Sequence, residues 1–315
     1  MNDPALALPY IDDFLLHLQT NNFSPETVYN YERDLRCFAD FLARDAGVAF
    51  DASTKMTLDR YKAYLVSRDR KTAAGEAAQT RLAAHSINRM LSALRRYMKY
   101  LIDIDYPVPV PPEAIKLLKM PRKVSRIAEM EALVRLIESP IAFEKNKAIG
   151  LRNRAMLEAL FATGMRISEL LSLNRVQLDR PGRIFIRGKG RKERFVYLTP
   201  RAKKCIDEYL LTRSDDNPAL FIPYRGRNVG TSNARISPNY LQMKIKRYRE
   251  MLDINVPTSA HSLRHGFATY LAEQGANPAA IQILLGHESL QTTTRYVHAS
   301  DRYAEETHKM HHPLK

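Results

Sequence analysis

Residues 261–296 read HSLRHGFATYLAEQGANPAAIQILLGHESLQTTTRY. The spacing of the apolar residues predicts one helix over residues 261–274 and another over 278–285. His261 and Arg264 are three residues apart, so they share one face of the first helix. This stretch therefore predicts an imidazole and a guanidinium held side by side by helical geometry.

Three further reactive residues belong to the same stretch. His287 follows Gly286, where the second helix should end, and Tyr296 comes ten residues after Gly286. A lone histidine at a helix end is usually a cap or a satisfied core group. Tyr296 is one of 16 tyrosines, and a phenol with a pKa near 10 attacks only with help from neighbouring cations. His265 is expected to point elsewhere or to pack, as a structural residue.

Upstream, residues 162–170 read ATGMRISEL. Gly164 is expected to end a helix over 151–163 in a C-cap position, and Arg166 to begin the next helix. For a lone arginine there, an ion pair with Glu169 one turn on is the simpler role.

A lysine lies at the turn of a predicted β-hairpin. Residues 183–187 alternate apolar and basic side chains, the chain turns at Gly188, Lys189 and Gly190, and it returns through residues 193–198. Hairpin turns often carry lysine for solubility alone. Alternatively, the glycines let the backbone approach a phosphate, and the ammonium acts as a general acid.

Taken together, these residue types suit phosphodiester chemistry. Arginine forks neutralise non-bridging oxygens, histidines hydrogen-bond or move protons, and a phenolic oxygen can attack phosphorus. The net charge of +15 favours a polyanionic partner, although solubility, a ribosomal protein or a membrane surface would also explain it. No apolar run approaches membrane-spanning length. The two cysteines have no metal-ligand spacing, which predicts a reduced, cytoplasmic protein without a structural zinc.

The chain is predicted to be mainly α-helical with a small β-hairpin or sheet. Residues 1–105 read as four helices that form a bundle, the second helix beginning with Ser24 as its cap. Residues 106–124 hold four prolines within seven residues and read as an extended basic linker. Residues 125–315 are predicted to form a mixed α/β catalytic domain.

These motifs resemble those of the tyrosine recombinases, the phage-integrase family, and most closely the Xer-type members. The resemblance covers essentially the full length, through ATGMRISEL, GKGRKER, HSLRH and LLGH followed by TTRY. It implies that Tyr296 attacks the scissile phosphate to form a 3′-phosphotyrosine and free a 5′-hydroxyl. The other implied roles are phosphate binding by Arg166 and Arg264, leaving-oxygen protonation by Lys189, proton transfer by His261 and phosphate hydrogen bonding by His287.

The resemblance also implies partners. The helical domain and the catalytic domain would clamp double-stranded DNA like a C, and four protomers, identical or paired with a second recombinase, would join two sites. Residues 301–315 would dock into a neighbouring protomer, and neither cofactor nor metal is expected. The expected role is dimer resolution, with chromosome segregation and cell division, or integration and excision of a mobile element. Alternatives are relaxation like that of a type IB topoisomerase and a DNA-binding accessory protein. The helices over 239–252 and 84–102 are predicted to enter DNA grooves.

Overall fold

The computed structural model describes residues 8–67, 81–120, 128–178, 182–187, 193–226, 229–232 and 234–286. The chain divides into two compact units, residues 1–123 and 124–315, and each is treated by itself. Within the described residues, no helix is both long enough and apolar enough to cross a membrane.

The described residues of the first unit form four α-helices: α1 (Ile11–Thr20), α2 (Pro25–Phe41), α3 (Lys55–Val66) and α4 (Ala84–Asp103). The predicted start of α2 is confirmed, because Ser24 accepts a hydrogen bond from the backbone N–H of Thr27 and Pro25 is the first helical residue. A π-helical turn (Leu42–Ala46) follows α2, and a 3-10 turn (Phe50–Ala52) precedes α3. The amino acid pattern did not predict these two short turns.

The core of the first unit is built around α4. The side chains predicted to face inward are all buried: Ile87, Met90, Leu91, Leu94 and Met98. They pack with the buried aromatic and aliphatic side chains of the other three helices, as the 3.6-residue period requires.

Part of the predicted linker is packed instead of extended. Val110 and Ile115 are buried in the core of the first unit, and the chain forms a 3-10 turn (Pro112–Ala114) between them. The prolines stop α4 from continuing, but the apolar residues among them still bury their surface. Residues 121–124 of the predicted linker lie outside the described residues.

The second unit is helical around one antiparallel hairpin. Its helices are α5 (Met130–Glu138), α6 (Pro140–Phe143), α7 (Lys147–Thr163), α8 (Ile167–Ser172), α9 (Pro200–Leu210), α10 (Pro238–Met251), α11 (Ala260–Glu273) and α12 (Pro278–Leu285), with a 3-10 turn at Arg175–Gln177. Its strands are β1 (Arg183–Arg187) and β2 (Glu193–Tyr197). The prediction of a mainly α-helical chain with a small hairpin is confirmed.

The hairpin has one buried and one exposed face. Ile184 pairs with Val196 in the antiparallel register, and both are buried, while the paired Phe185 and Phe195 are exposed with ring centroids 5.3 Å apart. This alternation is the period-two pattern that the sequence predicted. The turn of the hairpin lies outside the described residues.

Helix α7 runs through the core of the second unit and contacts α6, α9 and α11. Its C-terminus sets the geometry of the site, because Gly164 follows it with φ of 61°, in the left-handed region. The predicted C-cap at Gly164 is therefore confirmed.

Candidate active site

The first arginine motif forms a tight connection between α7 and α8. After Gly164 the chain turns, and Arg166 becomes the N-cap residue of α8. The backbone N–H of Arg166 donates to Glu169 Oε2 at 2.7 Å, and its Nη1 donates to Glu169 Oε1 at 2.9 Å. The ion pair that the sequence offered as the simpler role for Arg166 is thus present. About a third of the Arg166 side chain (35%) remains exposed, so it can still meet a ligand from solvent.

Arg264 ties three parts of the second unit together. It projects from α11 and is almost fully buried. Its Nη1 donates to the carbonyl oxygen of Gly164 and its Nη2 to that of Leu285, both at 2.7 Å. These bonds satisfy carbonyls at the ends of α7 and α12, which lack helical partners of their own. The fork of Arg264 is therefore fixed between the first arginine motif and the segment that leads to His287.

A second buried arginine completes the charge arrangement. Arg194 of β2 donates to Glu169 through Nη1 at 3.1 Å and through Nη2 at 2.9 Å. Burial raises the pKa of the Glu169 carboxyl, but hydrogen bonds from Arg194 and Arg166 outweigh it and hold that pKa below its usual value. Glu169 is therefore an ionised carboxylate shared between two guanidinium groups.

His261 lies one turn before Arg264 on α11. Partial desolvation lowers its pKa, and the positive charges of Arg264 and Arg166 lower it further. Both arginines therefore lie close enough to His261 to act on its charge. The imidazole is neutral at neutral pH and can accept a proton.

Of the two expectations for His265, that it points elsewhere or that it packs, the structure shows packing, and the ring that it packs against is that of His261. Nε2 of His265 lies 2.7 Å from Nε2 of His261, and the two rings meet edge to face with centroids 4.2 Å apart. The physical reason is the helical period, which places residues i and i+4 on one face. Because one Nε2 must donate and the other accept, the two imidazoles constrain each other's tautomers.

Three of the predicted site residues, Lys189, His287 and Tyr296, lie outside the described residues. The other three, Arg166, His261 and Arg264, are described. The charges of the two arginines lower the pKa of His261. The structure describes β1 and β2 on either side of the Lys189 turn, and α12 up to Gly286, the residue before His287.

The sequence motifs did not identify Arg194 as a site residue. Its position on β2 could have done so, because Arg194 lies two residues before the buried Val196, on the same face of the strand, and pairs with the buried Ile186. A charged residue on the inward face of a strand requires a buried partner, and Glu169 is that partner.

Comparisons with known proteins show the family of the chain. Residues 127–302 match the model of the Phage integrase family, and residues 11–104 match that of the Phage integrase, N-terminal SAM-like domain. The chain is 36% identical to Tyrosine recombinase XerC of Pelobacter propionicus over 306 residues, which cover 95% of this chain and 93% of that protein. It is 31% identical to Tyrosine recombinase XerC of Halalkalibacterium halodurans, with 96% and 97% covered.

Two solved structures share the fold. XerH site-specific recombinase bound to difH substrate superposes with a TM-score of 0.66 at 22% identity, over 94% of this chain and 82% of that one. A lambda integrase dimer bound to a COC' core site gives 0.67 at 15% identity, over 93% and 77%. The chain belongs to the phage integrase family. Within that family it is a site-specific tyrosine recombinase.

Proposed function

We propose that this recombinase cuts and rejoins double-stranded DNA through a phosphotyrosine at Tyr296. The phenolic oxygen forms a bond to the scissile phosphorus while the bond to the 5′-oxygen breaks, leaving a 3′-phosphotyrosine and a 5′-hydroxyl. His261 helps to remove the phenolic proton, and Lys189 supplies a proton to the leaving oxygen. Because the phosphodiester energy is kept in the new bond, rejoining is the same reaction in reverse.

Arg166, Arg264 and His287 stabilise the charge on the phosphate in this proposal. The observation that carries it is the double contact of Arg264 with the carbonyls of Gly164 and Leu285. A guanidinium fixed in this way needs no reorganisation when negative charge develops on the phosphate, which is the condition for efficient electrostatic catalysis. Arg166, with its partly exposed side chain, would meet a non-bridging oxygen directly.

DNA is the proposed partner of both units. XerH site-specific recombinase and lambda integrase, which share the fold, were solved bound to difH substrate and to a COC' core site, and the net charge of +15 favours such a polyanion. Helix α10 exposes Lys246 and Arg247, and α4 exposes Arg96 and Lys99, which supports these helices as the ones that enter grooves. We place residues 1–105 as the core-binding domain, 106–124 as the connection and 125–315 as the catalytic domain.

The proposed assembly is a tetramer on two sites, with residues 301–315 of each protomer docked on a neighbour. Relatives named XerC in several bacteria support dimer resolution in chromosome segregation over integration or excision of a mobile element. The cytoplasm, where chromosomal DNA lies, is the proposed location.

The test uses a nicked duplex carrying a site selected by the protein's own binding to genomic DNA. The nick lets the 5′-hydroxyl fragment leave, so that the covalent product cannot reseal. We expect a denaturation-resistant protein–DNA product that persists in chelator and is lost in Tyr296→Phe. Tyr303→Phe is the matched control and should retain it. Tight binding without a covalent product would support the accessory-protein alternative, and relaxation of plasmids that lack paired sites would support the topoisomerase-like alternative.

A further inference from the structure

Arg194 occupies an unusual position for a charged residue. It lies in β2, directly opposite the buried Ile186, and only 8% of its side chain is exposed. Taking a guanidinium out of water costs several kcal/mol unless hydrogen bonds and an opposite charge compensate. The hydrogen bonds of Arg194 therefore bear on why the residue is there.

These contacts reach two segments that lead to reactive residues. Nη1 and Nη2 donate to the two carboxylate oxygens of Glu169, which in turn accepts both bonds from Arg166. Nε donates to the carbonyl oxygen of Leu284, at the end of α12, at 2.8 Å. One side chain thus links the strand after the Lys189 turn, the helix start at Arg166 and the helix end before His287.

Gly286 leaves the space that this arrangement needs. A Cβ at this position would lie 2.9 Å from Nη1 of Arg194 and 3.1 Å from its Cδ. Gly286 also has φ of 63°, in the left-handed region that favours glycine. The end of α12 is therefore fitted to the buried guanidinium.

Arg194 changes the net charge of the group that it forms with Glu169 and Arg166. A lone Glu169–Arg166 pair would be neutral, and the carboxylate would compete with a phosphate for the guanidinium of Arg166. With Arg194 present, one carboxylate lies between two guanidiniums, and the group keeps a net charge of about +1 by simple counting of ionised groups.

We propose that Arg194 is a positioning residue for the strand-cleavage reaction. It offsets the charge of Glu169, so that the group formed with Arg166 keeps a net positive charge toward the phosphate, and it holds the end of α12 against the same group. This inference rests on the proposed phosphate-binding role of Arg166. Arg194 itself need not touch DNA.

The experiment measures single-turnover cleavage of the nicked duplex, the Kd for the same duplex without a nick, and thermal unfolding. Arg194→Gln should slow cleavage by up to about 100-fold, because small displacements of reacting groups have effects of that size. Its Kd should change much less, since many other basic residues hold the DNA. Arg213→Gln is the matched control, because Arg213 is also a buried arginine that binds an acidic partner, Asp215, and backbone carbonyls.

The double variant Arg194→Gln with Glu169→Gln separates positioning from simple loss of stability. With the carboxylate gone, the charge of Arg166 is no longer offset, so the double variant should cleave faster than Arg194→Gln alone. It also removes the buried carboxylate that has lost one of its two arginine partners, which keeps the test available if the single variant does not fold.

Two results would overturn the inference: cleavage by Arg194→Gln no slower than by Arg213→Gln, or a double variant no faster than the single one. Failure of the proposed function is recognised separately. In that case the wild-type protein gives no covalent product, or Arg166→Ala cleaves as fast as wild type.

Discussion

Nη1 of Arg264 donates to the carbonyl oxygen of Gly164 across 2.7 Å, joining a helix to a turn 100 residues earlier in the chain. The second arginine motif is thereby fixed to the backbone of the first, and the position of Arg264 depends on the turn at Gly164.

The first prediction concerns the fork of Arg264. Arg264→Lys keeps the charge, but a single ammonium on a flexible stem cannot reproduce the two fixed contacts with Gly164 and Leu285. We expect single-turnover cleavage of the nicked duplex to fall by roughly 100-fold or more, as for loss of one preorganised donor. Arg213→Lys, with comparable carbonyl contacts, serves as the control. Equal rates for the two lysine variants would contradict this role of Arg264.

The second prediction concerns Gly164. An alanine Cβ here would lie 2.3 Å from Cδ1 of Phe267, and the residue would have to keep φ at 61°. Gly164→Ala should therefore lower the free energy of unfolding by at least about 1–3 kcal/mol, the usual cost of such backbone strain alone. Urea unfolding measures the change. Gly275→Ala is the control, since it shares the positive φ but has open space around its Cβ position, and it should be less damaging.

The third prediction concerns pH and His261. Its folded-state pKa lies below the usual histidine value of about 6.5, so the unfolded chain binds this proton more readily. The contribution of His261 to stability is therefore complete above that value and is lost as the pH falls below it. We expect stability, measured by urea unfolding, to fall less steeply with acid in His261→Gln than in wild type. Identical pH dependence in the two proteins would contradict the lowered pKa.

The fourth prediction concerns Asp215. The hydrogen bond from Arg213 lowers the pKa of this carboxyl to about 2, despite some opposing desolvation. A carboxyl with a depressed folded pKa stabilises above its unfolded value, near 3.9, and loses that contribution as the pH falls toward 2. Asp215→Asn should be less stable than wild type at neutral pH, with a difference that shrinks below about pH 4. A difference that is constant with pH would contradict it.

Much of the fold was predictable because its signals are local. Ser24 with Pro25, Gly164 after α7 and the hairpin of β1 and β2 depend on neighbouring residues alone, and all three predictions are confirmed. The packing of Val110 into the first core was not predicted, because prolines indicate only that a helix stops and not where the chain goes next.

In the candidate site too, contacts between neighbouring residues could be predicted and contacts between distant segments could not. Arg166 and Glu169 are one turn apart, so their ion pair could be anticipated. The contacts of Arg264 with Leu285 and of Arg194 with Glu169 and Leu284 join distant segments, so periodicity could not reveal them. Lys189, His287 and Tyr296 remain predictions from the motifs.

The central claim is that Tyr296 forms the bond to DNA. Trypsin cleaves after Arg295 and Arg302, so Tyr296 begins the peptide YVHASDR, which contains no other tyrosine, and Tyr303 begins the next peptide, YAEETHK. The covalent product on the nicked duplex is digested with trypsin and nuclease, and the nucleotide-bearing peptide is identified by mass spectrometry. We expect the 3′-nucleotide adduct on YVHASDR. An adduct on YAEETHK or on any other peptide would contradict the assignment of Tyr296 as the nucleophile.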